Sequence, residues 1–368
     1  MKAVAVKPRN KDSVHLVELD EPKLESVANG RGVKVKILRV GGCGTDREIN
    51  AGEYGTAPDG FDFLVLGHEN LGQVVEVGAN VTEFQPGDTV VGTVRRPGKS
   101  LYDVIGEQDM TTDSEYFERG ISRLHGYFAE MYVENADFMV KLPPTLKEVG
   151  VLLEPLSIVE KGLQQAYEIQ ERAKIWSPKR AAVIGTGSVG LLTVMAMRMR
   201  NLEVHAFGKD TREGYLNADL CEEIGAKYYS TAETTVAETG KSVGGFDIIL
   251  ECTGYSPIIW DAAQGLAKNG VLILTSVTGG ERTAEIASDK INIEFVLGNK
   301  LMFGTVNAAR EHFALGVKDL ALCEAMHAGW LSKMLTHPVS GIENFAQIFQ
   351  NLSGKTPRMI KTFCEISR

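Results

Sequence analysis

The sequence predicts an α/β protein in two parts: a β-barrel or sandwich-like part first, and a doubly wound α/β part with a parallel sheet second. Three observations point there. The chain has 368 residues, and at roughly 150 residues per domain that favours two domains over one. Through about residue 140, short β-like runs alternate with Gly, Asp and Pro turns and no long helical pattern intervenes. From Arg180 onward, continuous apolar runs are separated by helical segments, the pattern of a parallel sheet covered on both faces.

The elements follow in order. KAVAVK, VHLVEL, GVKVKILRV, GQVVEVG, DTVVGTV, FAEMYV and FMVKLP supply the strands of the first part. From Val151 to Ala173 apolar residues recur at helical spacing, with Pro155 near the start, so a helix is expected there. AAVIG, EVHAFG, FDIILECTG, GVLILTSV and KLMFGTV are the expected strands of the second part. The segment from about Ala308 holds amphipathic helical stretches and a closing strand, MIKTFCEI. It is too short for a third domain, and its strand can return to the first.

Composition narrows the class of function. Hydrophobic residues make up 43% and charged residues 24%, the profile of an ordinary globular protein. The net charge of −9 is spread along the chain without a basic stripe, which argues against nucleic acid and anionic membranes as partners. No apolar run approaches the ~18 residues of a membrane span. The N-terminus lacks the apolar stretch of a signal peptide and reads as a strand, so a cytoplasmic location is expected. Five scattered cysteines without a CxxC pair fit reduced thiols, most of them packed as small hydrophobes. Small-molecule chemistry leads.

The first chemical motif is Gly185-Thr186-Gly187-Ser188-Val189-Gly190. It follows an apolar strand and opens a helical segment, the context in which G-x-G-x-x-G cradles a dinucleotide pyrophosphate. The next strand ends at Gly208-Lys209-Asp210-Thr211-Arg212. Gly208 leaves room there, and Lys209 and Arg212 can neutralise a 2′-phosphate. NADP is therefore expected, with Asp210 keeping NAD as the alternative.

The second constellation lies in the β part. Cys43 sits in GGCGTDREI, and His68 and Glu69 follow 25 and 26 residues later, behind Gly67. Thiolate, imidazole and carboxylate form the ligand set of a zinc ion whose fourth position stays open. Adjacent strand residues point to opposite faces, so His68 and Glu69 share a metal only if the chain turns at Gly67. Glu154, at the start of the expected helix, completes the set from a second direction. One catalytic zinc is expected.

CGTD at Cys43 to Asp46, LGHE at Leu66 to Glu69, GDTV at Gly87 to Val90, GTGSVG and ECTG at Glu251 to Gly254 together resemble the zinc-dependent medium-chain dehydrogenases over nearly the whole chain. VRRPG at Val94 to Gly98, YFERGI at Tyr116 to Ile121, HGY at His125 to Tyr127, EPLSIVEK at Glu154 to Lys161 and GTVN at Gly304 to Asn307 narrow the likeness to archaeal-type glucose 1-dehydrogenases. The resemblance implies a GroES-like barrel as catalytic domain, residues 1–157, completed by residues 308–368 around a Rossmann domain at 158–307. It implies zinc ligands at Cys43, His68 and Glu69 with Glu154 on or near the metal, and sugar contacts at Thr45, Glu118, Glu154 and Asn307. Thr253, Ser276, Val277, Thr305, Val306 and Asn307 would meet the cofactor beside the glycine loop. Many relatives carry a four-cysteine lobe with a second, structural zinc, but residues 95–126 here contain no cysteine, so no structural zinc is expected. A homo-oligomer is implied, with dimer and tetramer both open.

The expected reaction is oxidation of D-glucose, or of a similar aldose, at C1 to the lactone with hydride transfer to NADP or NAD. Thr45 and Glu154 are the expected catalytic residues, Thr45 passing the proton outward. The rival reading is another zinc dehydrogenase with a polyol, galactose or threonine substrate.

Overall fold

The computed structural model describes residues 1–354, 356 and 358–367. They form two compact units: Met1–Ser157 with Asn307–Ala321 and Leu331–Arg368, and Ile158–Val306 with Leu322–Trp330.

The first unit is organised by one long strand, Gly32–Gly42. It pairs antiparallel with Glu69–Val77, Met131–Asn135 and Thr362–Glu365. Two register shifts against Glu69–Val77, at Lys34/Val35 and Ile37/Arg39, curve the sheet in the way bulges do. Val33, Val35 and Ile37 alternate into the core, and beyond the second shift Val40 takes over. They pack with Val4, Val74, Val90, Phe128 and Tyr132, each fully buried aliphatic side chain contributing roughly 1.5–3 kcal/mol. Thr89–Gly92 and Met139–Leu142 extend one side of this sheet and His337–Ser340 the other. The expected helix from Val151 to Ala173 is a helix at Leu153–Gln170 with a short 3-10 turn at each end.

Residues 95–126 are tied by polar contacts. Arg95–Arg96, Phe117–Arg119 and Arg123–Leu124 make a small sheet. Asp103 Oδ2 accepts from Ser100 N (3.0 Å), Ser100 Oγ (2.6 Å) and Thr111 Oγ1 (2.6 Å). Nearby, the buried Glu134 carboxylate receives Arg96 and Arg119, Arg119 Nε at 3.0 Å. Burial alone would raise the Glu134 carboxyl, but Arg119 and Arg96 together hold it at about 2. A depressed native value means that this stabilisation is present above the ordinary carboxylate range and is lost as pH falls through about 2. Glu134→Ala is expected to cost roughly 3–5 kcal/mol, because it leaves two guanidinium groups without their carboxylate. Chemical denaturation at neutral pH checks this.

The second unit carries a six-stranded parallel sheet in the order Lys227–Ser230, Glu203–Gly208, Arg180–Ile184, Phe246–Glu251, Leu266–Leu274, Leu301–Gly304. In chain order within the unit this is 3-2-1-4-5-6, the doubly wound arrangement that binds ligands beyond the carboxyl ends of its strands. Ala182, Ile184, Phe207, Ile249 and Leu272 are fully buried, which explains why these strands read as unbroken apolar runs. No helix among the described residues is long and apolar enough to cross a membrane.

Candidate active site

Cys43 caps the helix Gly44–Asn50. Its Sγ accepts from Thr45 N at 3.3 Å, and Asp46 Oδ2 accepts from Cys43 N at 3.0 Å. Side chain and backbone thus fix each other in a capping box, and the half-buried sulfur is held in place. Thr45, also half-buried, is the second residue of this helix.

His68 meets that sulfur. Its Nε2 lies 3.1 Å from Cys43 Sγ, and its Nδ1 lies 3.8 Å from Asp46 Oδ1. Gly67 takes φ +85, so the chain turns where sharing between His68 and Glu69 requires it, and Glu69 begins the strand Glu69–Val77. The main chain of 126–128 secures the turn, with Tyr127 N donating to Gly67 O and Phe128 N to Leu66 O, each at 2.8 Å. Two donor groups result, Cys43 with Asp46 and His68, and His68 with Glu69 and Glu154. Within each group the donor atoms lie within 4.8 Å of one another.

Burial disfavours charge on His68, but Cys43 and Asp46 hold its pKa well above the ordinary value. Burial also pushes the Glu154 carboxyl up, with His68 opposing and Glu69 adding to the rise. Lys361 pairs with Glu69 and donates to Gly42 O at 3.1 Å. This donor set fits a zinc ion: one thiol, one imidazole whose Nε2 faces the sulfur, and carboxylates, nearly all buried.

Glu118 and Asn307 also come together. Glu118 Oε1 accepts from Asn307 Nδ2, from Arg95 Nε at 3.2 Å and from Arg95 Nη2 at 2.8 Å. Both residues are buried. Arg95 lies over the Tyr116 ring at 4.7 Å, and Tyr116 shares a hydrogen bond with Tyr54 at 2.6 Å.

In the second unit the glycine motif joins Arg180–Ile184 to the helix Ser188–Met199, with Gly187 as N-cap. A Cβ on Gly190 would lie 1.8 Å from Gly185 O, so this third glycine allows the helix to start against the turn. Among the described residues, Ser188 Oγ and Thr305 Oγ1 are buried without a hydrogen-bond partner. Thr253 N and Oγ1 both donate to Glu251 Oε1, and Ser276 Oγ accepts from Gly254 N at 3.0 Å. Val277 and Val306 are exposed.

Arg212 is already engaged. It grips Glu222 with Nε at 2.8 Å and Nη2 at 2.6 Å, and reaches Asp219 at 2.9 Å. Arg212 and both carboxylates are solvent-exposed, so these ion pairs are weak, and Lys209 is exposed as well. Sequence reasoning gave no role to Asp46, Lys361 or Arg95. An acidic residue three after a cap is a visible signal for Asp46, whereas Lys361 stands 292 residues beyond Glu69 and leaves no local one. Of the cysteines other than Cys43, Cys221, Cys323 and Cys364 are buried and Cys252 is half-buried, its Sγ donating to Ile184 O at 3.1 Å.

Two family descriptions match the chain, an alcohol dehydrogenase GroES-like domain over residues 29–144 and a glucose dehydrogenase C-terminus over residues 147–366. The glucose 1-dehydrogenase of Methanocella arvoryzae is 42% identical over 342 residues, covering 92% of this chain and 93% of the relative. Glucose 1-dehydrogenase 1 of Caldivirga maquilingensis is 37% identical over 371 residues, covering 100% and 99%. The structure of Haloferax mediterranei glucose dehydrogenase in complex with NADP, Zn and gluconolactone superposes with a TM-score of 0.88 at 34% identity, covering all of both chains. With a GroES-like first part and a Rossmann-like parallel sheet, the chain belongs to the glucose dehydrogenase family of zinc-dependent medium-chain dehydrogenases.

Proposed function

We propose that this protein is an NADP-linked glucose 1-dehydrogenase that oxidises D-glucose and related aldoses at C1. C1 gives up a hydride and its hydroxyl a proton, leaving the lactone. The observation that carries this reading is the buried Cys43, His68, Glu69 and Glu154 donor set, and the relatives named for glucose supply the substrate. Zinc supplies a Lewis acid for the C1 oxygen, and NADP supplies the hydride acceptor.

The chain's own residues divide the remaining work. Cys43 and His68 would hold the metal, with Glu69 or Glu154 as the carboxylate partner and the Asp46 carboxylate facing His68 Nδ1 at 3.8 Å. Thr45 passes the C1 proton outward. Three N–H donors converge on Glu118 Oε1, so Oε2 is the oxygen offered to a sugar hydroxyl. Asn307 and Glu154 complete the contacts to the ring. The Gly185–Gly190 turn and Ser188 receive the pyrophosphate, Thr253, Ser276, Val277, Thr305, Val306 and Asn307 meet the rest of the cofactor, and Gly208 and Lys209 with Arg212 face its 2′-phosphate. Lys209 and Arg212 together carry the preference for NADP over NAD, Arg212 exchanging its exposed contacts with Glu222 and Asp219 for the phosphate. A homo-oligomer, dimer or tetramer, and a cytoplasmic location belong to the same reading, supported by the exposed apolar residues Leu101, Val104, Val296 and Leu297 and by five free thiols.

Glu118→Ala is expected to raise KM for glucose about 10–100-fold, the usual worth of one or two hydrogen bonds to a charged group, while zinc content stays unchanged. Steady-state kinetics with metal analysis checks it. The reading as a whole is tested by following NADPH and NADH formation against a panel of aldoses, polyols and threonine. Turnover of glucose or a close epimer supports it, and turnover of a polyol or threonine without any aldose overturns it.

A further inference from the structure

The nucleotide-binding unit buries an ammonium group that the proposed reaction does not use. Lys161 is 1% exposed, and its Nζ donates to the carbonyl of Val306 at 2.9 Å. Val306 lies on the loop that leaves the last strand, Leu301–Gly304, at the carboxyl end of the sheet. The helix bearing Lys161 runs close to that loop, since a Cβ on the next residue, Gly162, would lie 3.1 Å from Ile273 Cγ2 and 3.5 Å from Thr305 Cγ2. From the sheet side, Thr305 N donates to Leu274 O at 3.0 Å. The loop is thereby held from two directions, and Thr305 Oγ1 within it is buried with no hydrogen-bond partner among the described residues.

A charged donor gives a stronger and more directional bond to a carbonyl than a neutral one does. Burying an ammonium nevertheless costs more than burying a methionine of similar length, so the group is poorly explained as a source of stability. We propose that Lys161 is a positioning residue: its bond to Val306 O fixes the Thr305–Val306 loop so that the orphaned Thr305 hydroxyl meets the nicotinamide half of the cofactor. This rests on the NADP reading above.

Calorimetric titration with NADPH and, separately, with adenosine 2′,5′-bisphosphate tests it. The bisphosphate carries the adenosine end and its 2′-phosphate but no nicotinamide. Lys161→Met is expected to weaken NADPH about tenfold and to leave the bisphosphate unchanged, and Lys161→Arg, which keeps a cationic donor, to recover most of the loss. NADPH binding equal to the wild type, or an equal loss for both ligands, overturns the proposal. Thr305→Val removes only the hydroxyl and is expected to weaken NADPH selectively; an unchanged affinity there overturns the proposal even where Lys161→Met does not fold. Wild-type protein that binds neither ligand refutes the NADP reading itself, a result separable from the others.

Discussion

His68→Ala is expected to lower glucose turnover by about three orders of magnitude and to take zinc from about one ion per chain to near none. His68 is the one residue common to both donor groups, Cys43 with Asp46 and Glu69 with Glu154, so its loss removes the ligand that joins them. The size follows from chemistry. A Lewis acid at the C1 oxygen is worth several kcal/mol of charge stabilisation, and about 4 kcal/mol corresponds to a factor of 10³ in rate. The fold survives, because the Gly67 turn is set by main-chain bonds from Tyr127 and Phe128 rather than by the imidazole. Metal analysis, steady-state kinetics and circular dichroism on the same sample separate loss of metal from loss of structure.

Gly190→Ala is expected to abolish measurable NADP binding, with affinity reduced at least about 100-fold, and to lower Tm by several degrees. The added methyl group would stand 1.8 Å from Gly185 O and 2.7 Å from its carbonyl carbon, and main chain cannot yield as a flexible side chain does. The turn must open, and the N-H groups that would face the pyrophosphate move with it. Overpacking of this kind costs roughly 1–3 kcal/mol, equivalent to a few degrees in a domain of this size. Fluorescence titration with NADPH and a thermal melt check both parts. Unchanged binding would mean that the dinucleotide is held elsewhere.

The parallel unit was the more legible part of the sequence. Its strands are buried on both faces, so each stands out as an apolar run, and the glycine motif falls between one such run and a helix. The first unit was legible as strands and not as pairings. Gly32–Gly42 takes Thr362–Glu365 as a partner more than 300 residues away, and no local pattern encodes such a choice. The same distinction holds at the site. Cys43, His68 and Glu69 could be read from residue type and from the turn that Gly67 allows. Lys361 beside Glu69 could not, because it arrives through that distant pairing. Arg95 was visible within a motif, but its grip on Glu118 depends on the register of two short strands, Arg95–Arg96 and Phe117–Arg119. For Arg212, residue type suggested a phosphate ligand, and the structure adds its exposed pairing with Glu222 and Asp219, which no local pattern announced.

The central claim, zinc-assisted oxidation of a sugar at C1, is tested most directly on one preparation of the wild-type protein. Zinc content and NADPH formation from glucose are measured together, before chelation, after it and after zinc is returned. About one zinc per chain, activity lost with the metal and activity restored by zinc is the expected result. Full glucose oxidation by protein freed of zinc would contradict it.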